Sequence, residues 1–371
     1  MLIELIPPAL EFLEMDGIKK IELAARTCYK SEDKITNDSA EKFVQNVLIK
    51  RGHEAMLEHM VVSFVVTSST PIDFGTLVAL PHIHIDRIFG YNFEEEKYNP
   101  DLYYYLITGN IRAIRDTIKS CRLYSNTIYL CEILYTFMHS YYKSLVFDID
   151  PTDIKLGYAF NRFEEVLTNE DTKIQSFKVS YPLATYDWIN QISSINNPIS
   201  ESLIRDHVYT TVKFTIDRGV SHELVRHRIA SFAQESTRYV NYNNKGIRYI
   251  RPVWLKLEEL SPFMDFLQQS TNAYEYMFTK FNWTPEKSRN LLPNALATEI
   301  VVTANIREWQ HIFNLRALGV TGKPHPQMSE VMVPLLKAFN DRYPGLFQNQ
   351  IEQLKDNEDY SHVKISINCG I

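Results

Sequence analysis

Residues 209–228, YTTVKFTIDRGVSHELVRHR, set a strand pattern, a turn and a helix start in direct succession. Few segments of this chain restrict its fold so tightly. YTTVKFTID reads as a strand, DRGV as a turn, and SHELVRHR as the start of a helix with Ser221 as its N-cap. A chain that passes from period two to period 3.6 within a few residues belongs to a mixed α/β class. The stretch also ends in charge: from Ile216 to Arg251 there are seven Lys or Arg against three Asp or Glu, while the whole chain carries −6. The local sign opposes the global one.

The same mixture recurs on either side. Leu2–Ile6 reads as an opening strand, IKKIELAARTCY and SAEKFVQNVLIKR as helices, and MVVSFVVTS as a strand with Val62, Phe64 and Val66 on one face. From about Thr70 to about Ser202 the character changes, with 13 of the 22 tyrosines and turn signals at NPDL, DPTD and NNP. Within it Leu130, Ile133, Leu134, Phe137, Met138 and Tyr141 follow the spacing of a buried helix face, so residues 70–202 are expected to form a helical, tyrosine-rich insertion. Beyond the basic window, helices are predicted over FMDFLQQSTNAYEYMFTKF, over PEKSRNLLPNALATEIVVTANIREWQHIFNLRA with an interruption at Pro293, and over SEVMVPLLKAFNDRY. Residues 346–371 are left as a C-terminal tail. The expected fold is α+β: one catalytic domain, 1–69 with 203–345, combining a mixed sheet and long helices and interrupted by the insertion. An internal echo, GNIRAIRDTI against ANIREWQHIF, reads as two similar helix starts.

At 371 residues, 45% hydrophobic and 23% charged, the chain can bury a large core and shows no sign of disorder. Its mild acidity argues against a general nucleic-acid binder and confines any anion site to local patches. MLIELIPPALEFLEMDG lacks a basic leader and is broken by Glu4, Glu11 and Glu14, unlike a signal peptide, and no apolar run approaches membrane-span length. No membrane partner is expected. Cysteines at 28, 121, 131 and 369 have neither metal nor redox spacing, which fits a reducing compartment and a cytoplasmic location.

Two groups of side chains suggest chemistry. In RHRIASFAQESTRY, Arg226 and Arg228 can turn at least one guanidinium to a ligand, and Ser236 with Arg238 can grip one phosphate if the segment is extended. The competing reading pairs these arginines with Asp217, Glu223 and Glu235 at the surface. Further on, Arg307 and His311 share a helical face, with Asn305 and Arg316 close by and Arg289 about five turns earlier. Such groups on an apolar run meet anions or, in the alternative, a buried network with Glu299 or Glu308.

Metal sites are not expected. His53, Glu58 and His59 in GHEAMLEH miss the metalloprotease spacing, and His82 and His84 of PHIHID lack a matching third ligand. There is no GxGxxG, no G-x-S-x-G elbow, and LGVTGKP fails as a phosphate loop because Ala317 takes the first glycine position. Any nucleotide is therefore held by side chains.

Arg226-His227-Arg228, seven residues and then Ser236 make RHR-x7-S, and RHRIASFAQESTRY resembles the flavin-dependent thymidylate synthases. The resemblance extends to AARTCY at 24–29, GHEAMLEH at 52–59, DRGVSHELVRHR, ANIREWQHIFNLR at 304–316 and HPQ at 325–327, covering roughly 1–69 and 203–345. It implies reductive methylation of dUMP to dTMP, with methylenetetrahydrofolate as one-carbon donor and FAD reduced by NADPH as hydride carrier. It implies a homotetramer with active sites between subunits. Carried over by position, it makes Glu223, Arg226, Gln234, Ser236, Arg238, Arg289 and Arg316 substrate-binding, with Arg316 catalytic as the arginine that activates the uracil ring. His53, Ala55, Glu58, Arg226, His227, Arg228, Asn305, Arg307 and His311 fall on cofactor-binding positions.

Departures accompany the matches. Ala55 stands where many members carry Ser or Thr, Ala233 and Gln234 replace a common Asn and Glu, and Glu223 occupies a position that is often Gln. None of the four cysteines follows a proline, consistent with chemistry that needs no enzyme thiol. Two rivals stand beside the enzyme: a catalytically retired member serving as a binding or structural subunit, and a nucleic-acid module that stacks bases on its tyrosines.

Overall fold

A computed structural model of the chain describes residues 3–68, 82–88, 91–92, 97–98, 103–120, 125–149, 175–179, 201–355 and 358–370. The chain divides into two units, one formed by Met1–Met15, Leu23–Ile35 and Thr210–Ile371, the other by Asp16–Glu22 and Thr36–Tyr209.

The first unit is built on a five-stranded sheet in the order Ser231–Gln234, Ala297–Asn305, Tyr209–Asp217, Ala9–Leu13, Lys364–Asn368. Ser231–Gln234 runs antiparallel to Ala297–Asn305, and Ala9–Leu13 antiparallel to Tyr209–Asp217, while Lys364–Asn368 lies parallel to Ala9–Leu13. The mixed sheet of the expected α+β class is present. Ile3–Ile6 pairs in parallel with Ile247–Ile250 as a separate ribbon.

Three local expectations change. ATEIVVTAN, expected within a long helix, is the strand Ala297–Asn305, and eight of its nine residues are buried. Five of the nine are β-branched, and a strand covered on both faces shows a continuous apolar run that periodicity cannot separate from a buried helix. Ahead of it the helix is reduced to Pro285–Ser288 and a 3₁₀ turn, Arg289–Leu291. The N-cap of the Arg218–Leu224 helix is Asp217, whose Oδ1 accepts from Val220 N at 2.9 Å; Ser221 is buried inside the helix. The capping carboxylate closes the strand-to-helix corner one turn earlier than Ser221 would. Finally, the expected tail supplies the helix Gln348–Gln353 and the sheet-edge strand Lys364–Asn368.

Aromatic packing fills the core of this unit. Trp309, on the helix Ile306–Arg316, and Phe339, on the helix Pro326–Arg342, have ring centroids 5.0 Å apart, and Phe313, Phe347 and Phe12 pack on the same Phe339 ring. Trp309 is fully buried, and its Nε1–H donates to the Thr210 carbonyl at 3.1 Å. This ties the helix bearing Arg307, His311 and Arg316 to the central strand.

The second unit holds an antiparallel sheet in the order Ile83–Ile88, Tyr103–Asn110, Val61–Ser68, Gln175–Val179. The stretch expected to be helical therefore contributes three of these strands as well as the helices Ile111–Lys119 and Ser125–Tyr141. Leu130, Ile133, Leu134, Phe137 and Met138 are buried as the spacing requires, with Phe137 stacked on Phe64 at 4.0 Å, but Tyr141 is 39% exposed. Both faces of Val61–Ser68 are covered, since Ser63 and Val65 are buried along with Val62, Phe64 and Val66. A buried guanidinium, Arg115, is held by Asp148 at 2.8 Å and Glu54 at 3.2 Å. Burial without such partners would be costly.

The echo noted in sequence has a common structural form. Asn110 and Asn305 each end a strand and cap the helix that follows, accepting from Ala113 N at 2.8 Å and Glu308 N at 2.9 Å. Among the described residues, no helix is long and apolar enough to cross a membrane.

Replacing Trp309 by Ala is expected to destabilise the protein by about 3–5 kcal/mol, the range for loss of a large aromatic from a packed core. Equilibrium urea unfolding of the two proteins measures it.

Candidate functional site

The RHR segment follows the Arg218–Leu224 helix as a turn that leads into Ser231–Gln234. A turn here separates the side chains by direction. Arg226 and Arg228 are exposed and have no ion-pair partner among the described residues, whereas His227 is only 5% exposed. The expected surface pairing of these arginines with Asp217, Glu223 and Glu235 is not what the structure shows. Asp217 caps its helix, Glu235 pairs with Lys30 at 3.0 Å, and Glu223 takes a different arginine.

That arginine is Arg316, at the last turn of the Ile306–Arg316 helix. Its NH1 donates to Glu223 Oε2 at 2.9 Å, its NH2 to the Glu223 carbonyl at 3.1 Å, and its Nε to His227 Nε2 at 3.2 Å. All three nitrogens are engaged. A guanidinium carries five N–H groups, so two remain to meet a ligand from a fixed plane. On its other side His227 presents Nδ1 to Glu308 Oε1 at 3.7 Å, and its ring meets that of His311 edge-on at 5.7 Å. Burial, then Arg316 and His311, push His227 down to about 4, so the imidazole is neutral near pH 7. Burial alone pushes the Glu308 carboxyl up to about 7.

Arg307 and His311 are exposed on this helix, as their four-residue spacing requires, while Asn305 is buried and uses its carbonyl oxygen as the helix cap. Gln234 donates to Ser221 Oγ at 2.7 Å and Thr298 Oγ1 at 3.4 Å, which leaves its carbonyl oxygen as the free pole. STRY is a turn, not the extended segment supposed from sequence, and Ser236 Oγ accepts from Arg238 N at 3.4 Å. Arg238 itself is half exposed and paired with Glu286 at 2.9 Å, and Arg289 reaches Thr237 Oγ1 at 3.4 Å. AARTCY lies beside STRY: Ser236 N donates to the Cys28 carbonyl at 2.8 Å, and the exposed rings of Tyr29 and Tyr239 stand 5.5 Å apart. Burial pushes the Cys28 thiol up to about 12, which denies it a role as nucleophile.

A half-buried charge network centres on Glu299. Glu299 accepts from Lys213 at 3.0 Å and Arg248 at 3.3 Å, with Lys30 at 3.6 Å. Burial alone would raise its carboxyl, but Lys213 and Lys30 outweigh that and hold it at about 2. The supposed network of Glu299 with the second arginine cluster thus gives way to one with lysines and Arg248.

The other expected cofactor positions lie in the second unit. His53 and Ala55 are exposed, and Glu58 is paired with Arg112 at 2.6 Å. His59 is buried, and desolvation, then Lys20, push it down to about 3. His207 bridges Asp86 at 2.9 Å and Thr108 at 2.7 Å, with the His84 ring 6.0 Å away. Among the described residues, no group of three or more His, Cys, Asp or Glu could hold a metal. Glu308 is the residue of this group that the sequence reading places only in a structural network, and its helical neighbours Asn305 and His311 were the available signal.

The model of the thymidylate synthase complementing protein family matches residues 13–125 and 164–345, and the chain belongs to that family. The unmatched interior is 126–163, a narrower segment than the 70–202 that the motifs left uncovered. A flavin-dependent thymidylate synthase of Geobacter sulfurreducens is 40% identical over 137 residues, 35% of this chain and 59% of that protein. One from Thermococcus onnurineus is 36% identical over 121 residues, 32% and 49% of the two chains. The chain spans about half the length of the curated relatives it matches. Among solved structures, a UMP/dUMP methylase from Streptomyces cacaoi bound to 5-Br dUMP shares 16% identity at a TM-score of 0.37, over 47% of this chain and 90% of that one.

Because Glu299 titrates well below its ordinary value of 4.5 in the fold, its pairing stabilises above that value and is lost as pH falls towards about 2. Thermal unfolding followed from about pH 6 to about pH 3 should show a shallower acid loss of Tm in Glu299→Gln than in the natural protein.

Proposed function

We propose that the chain catalyses reductive methylation of dUMP to dTMP, taking the one-carbon unit from methylenetetrahydrofolate and using FAD reduced by NADPH. The observation that carries this reading is the orientation of Arg316, clasped by Glu223 and His227 with two N–H groups to spare. C5 of a uracil ring is a weak nucleophile. Its attack on a one-carbon donor becomes easier when charge developing at N3 and the ring oxygens meets a fixed cation, as a preorganised guanidinium provides without reorganising.

The remaining polar groups suit a nucleotide and a dinucleotide cofactor. Exposed Arg226 and Arg228, without ion-pair partners among the described residues, have the charge and donor geometry for phosphate groups. The Gln234 carbonyl oxygen is free to accept from a base N–H, and Ser236, Arg238 and Arg289 border the same turn. Exposed Arg307 and His311 add a cation and an imidazole along the helix. This donor set fits a flavin dinucleotide, with Asn305 and His227 as further cofactor positions of this unit; His53, Ala55 and Glu58, in the second unit, are cofactor positions by resemblance alone. When bound, the flavin supplies the hydride chemistry; the chain's own part is to bind, orient and exclude water.

Family membership and the names of the relatives support the reading. With it go a homotetramer whose sites lie between subunits and a cytoplasmic setting. Cys28, Cys131 and Cys369 form no disulfide among the described residues, which suits a reducing environment.

Arg316→Ala should lower kcat at least about 100-fold, the scale for removing one preorganised donor to a developing charge, while the flavin stays bound. Turnover assays alongside the visible absorption of the purified variant decide this. Loss of the flavin instead would make Arg316 a cofactor residue.

A further inference from the structure

Arg316 is the last of a run of contacts that starts at a buried carboxyl. Its Nε–H donates to His227 Nε2, and a ring nitrogen that accepts carries no proton, so the proton of this neutral imidazole is on Nδ1. Nδ1 faces Glu308 Oε1 at 3.7 Å, longer than a formed hydrogen bond but close enough for the carboxylate to favour N–H over a lone pair. His227 and Glu308 are each only 5% exposed, so water competes little for either.

We propose that Glu308 and His227 are positioning residues for Arg316: the Glu308 carboxylate selects the Nδ1–H tautomer of His227, and the accepting Nε2 then fixes the plane of the guanidinium. The claim that this assists dUMP methylation rests on the proposed function; the claim about the tautomer does not.

The arrangement responds to acid. The charged and titratable groups around the imidazole are Glu308, His311 and Arg316, all on the helix Ile306–Arg316, with Glu223 reaching Arg316 from the Arg218–Leu224 helix. Of these, Glu308 changes state near neutrality, its carboxyl being raised by burial to about 7, while His227 stays uncharged down to about 4. Once Glu308 takes up a proton, its O–H donates to Nδ1. The imidazole proton then resides on Nε2, where it opposes the Arg316 Nε–H, donor against donor. The contact that holds Arg316 is lost.

Imidazole ¹⁵N spectra of the full chain test this, with His227→Gln identifying the His227 signals. The expected result is the Nδ1–H tautomer above pH about 7 and growing Nε2–H as pH falls through that value, with this response lost in Glu308→Gln. In turnover of dUMP, kcat of the natural protein should fall about tenfold per pH unit below the same point, and Glu308→Gln should flatten that limb. The Nε2–H tautomer at every pH, or an unchanged pH response in Glu308→Gln, would overturn the proposal. If Glu308→Gln does not fold, the titration of His227 in the natural protein decides alone. The spectra need no turnover, so an inactive protein with the expected tautomer would count against the dUMP reading and not against the relay.

Discussion

The engagement of all three Arg316 nitrogens by Glu223 and His227 is the constraint around which this site is arranged. A long, flexible cation at a helix end would sample many rotamers in water, and each would present its N–H groups differently. Here the freedom is removed before any ligand arrives. The fixing groups come from the Arg218–Leu224 helix and the turn after it, which are set by the Asp217 cap, while Arg316 is set by a helix anchored through Trp309 to the Thr210 carbonyl. Two adjacent strands, Tyr209–Asp217 and Ala297–Asn305, launch both helices. The sheet thus converts chain connectivity into the relative placement of a carboxylate, an imidazole and a guanidinium.

Part of the arrangement was legible in the sequence because short-range rules govern it. The four-residue spacing of Arg307 and His311 places both on one face, and the strand–turn–helix order around DRGV is a matter of local preference. Asp217 and Ser221 are comparable N-caps by residue type, and tertiary context selects Asp217. ATEIVVTAN reads as helix because burial on both faces erases the alternation by which a strand is known. The inward turn of His227 between two outward arginines has no periodic signature at all, since it depends on a turn geometry that a residue pattern does not encode.

The tyrosine-rich middle makes a similar point at larger scale. Its heptad-like apolar spacing correctly marked one helix, Ser125–Tyr141, yet the strands Ile83–Ile88 and Tyr103–Asn110 that pair beside Val61–Ser68 went unseen. Long-range pairing completes such strands, and a lone β run offers little against a strongly periodic helix. The family match through 13–125 likewise reaches beyond the blocks in which identical motifs could be recognised. Glu223 and Gln234 are each fixed by neighbours distant in sequence: the carboxylate faces Arg316, and the neutral amide sits on hydroxyls of Ser221 and Thr298.

The measurement that bears most directly on this account is tritium release from C5-tritiated dUMP by the purified protein, with FAD, NADPH and methylenetetrahydrofolate omitted one at a time. The account predicts release that requires the flavin and its reductant. No release with every component present, from protein that takes up no flavin, would contradict it.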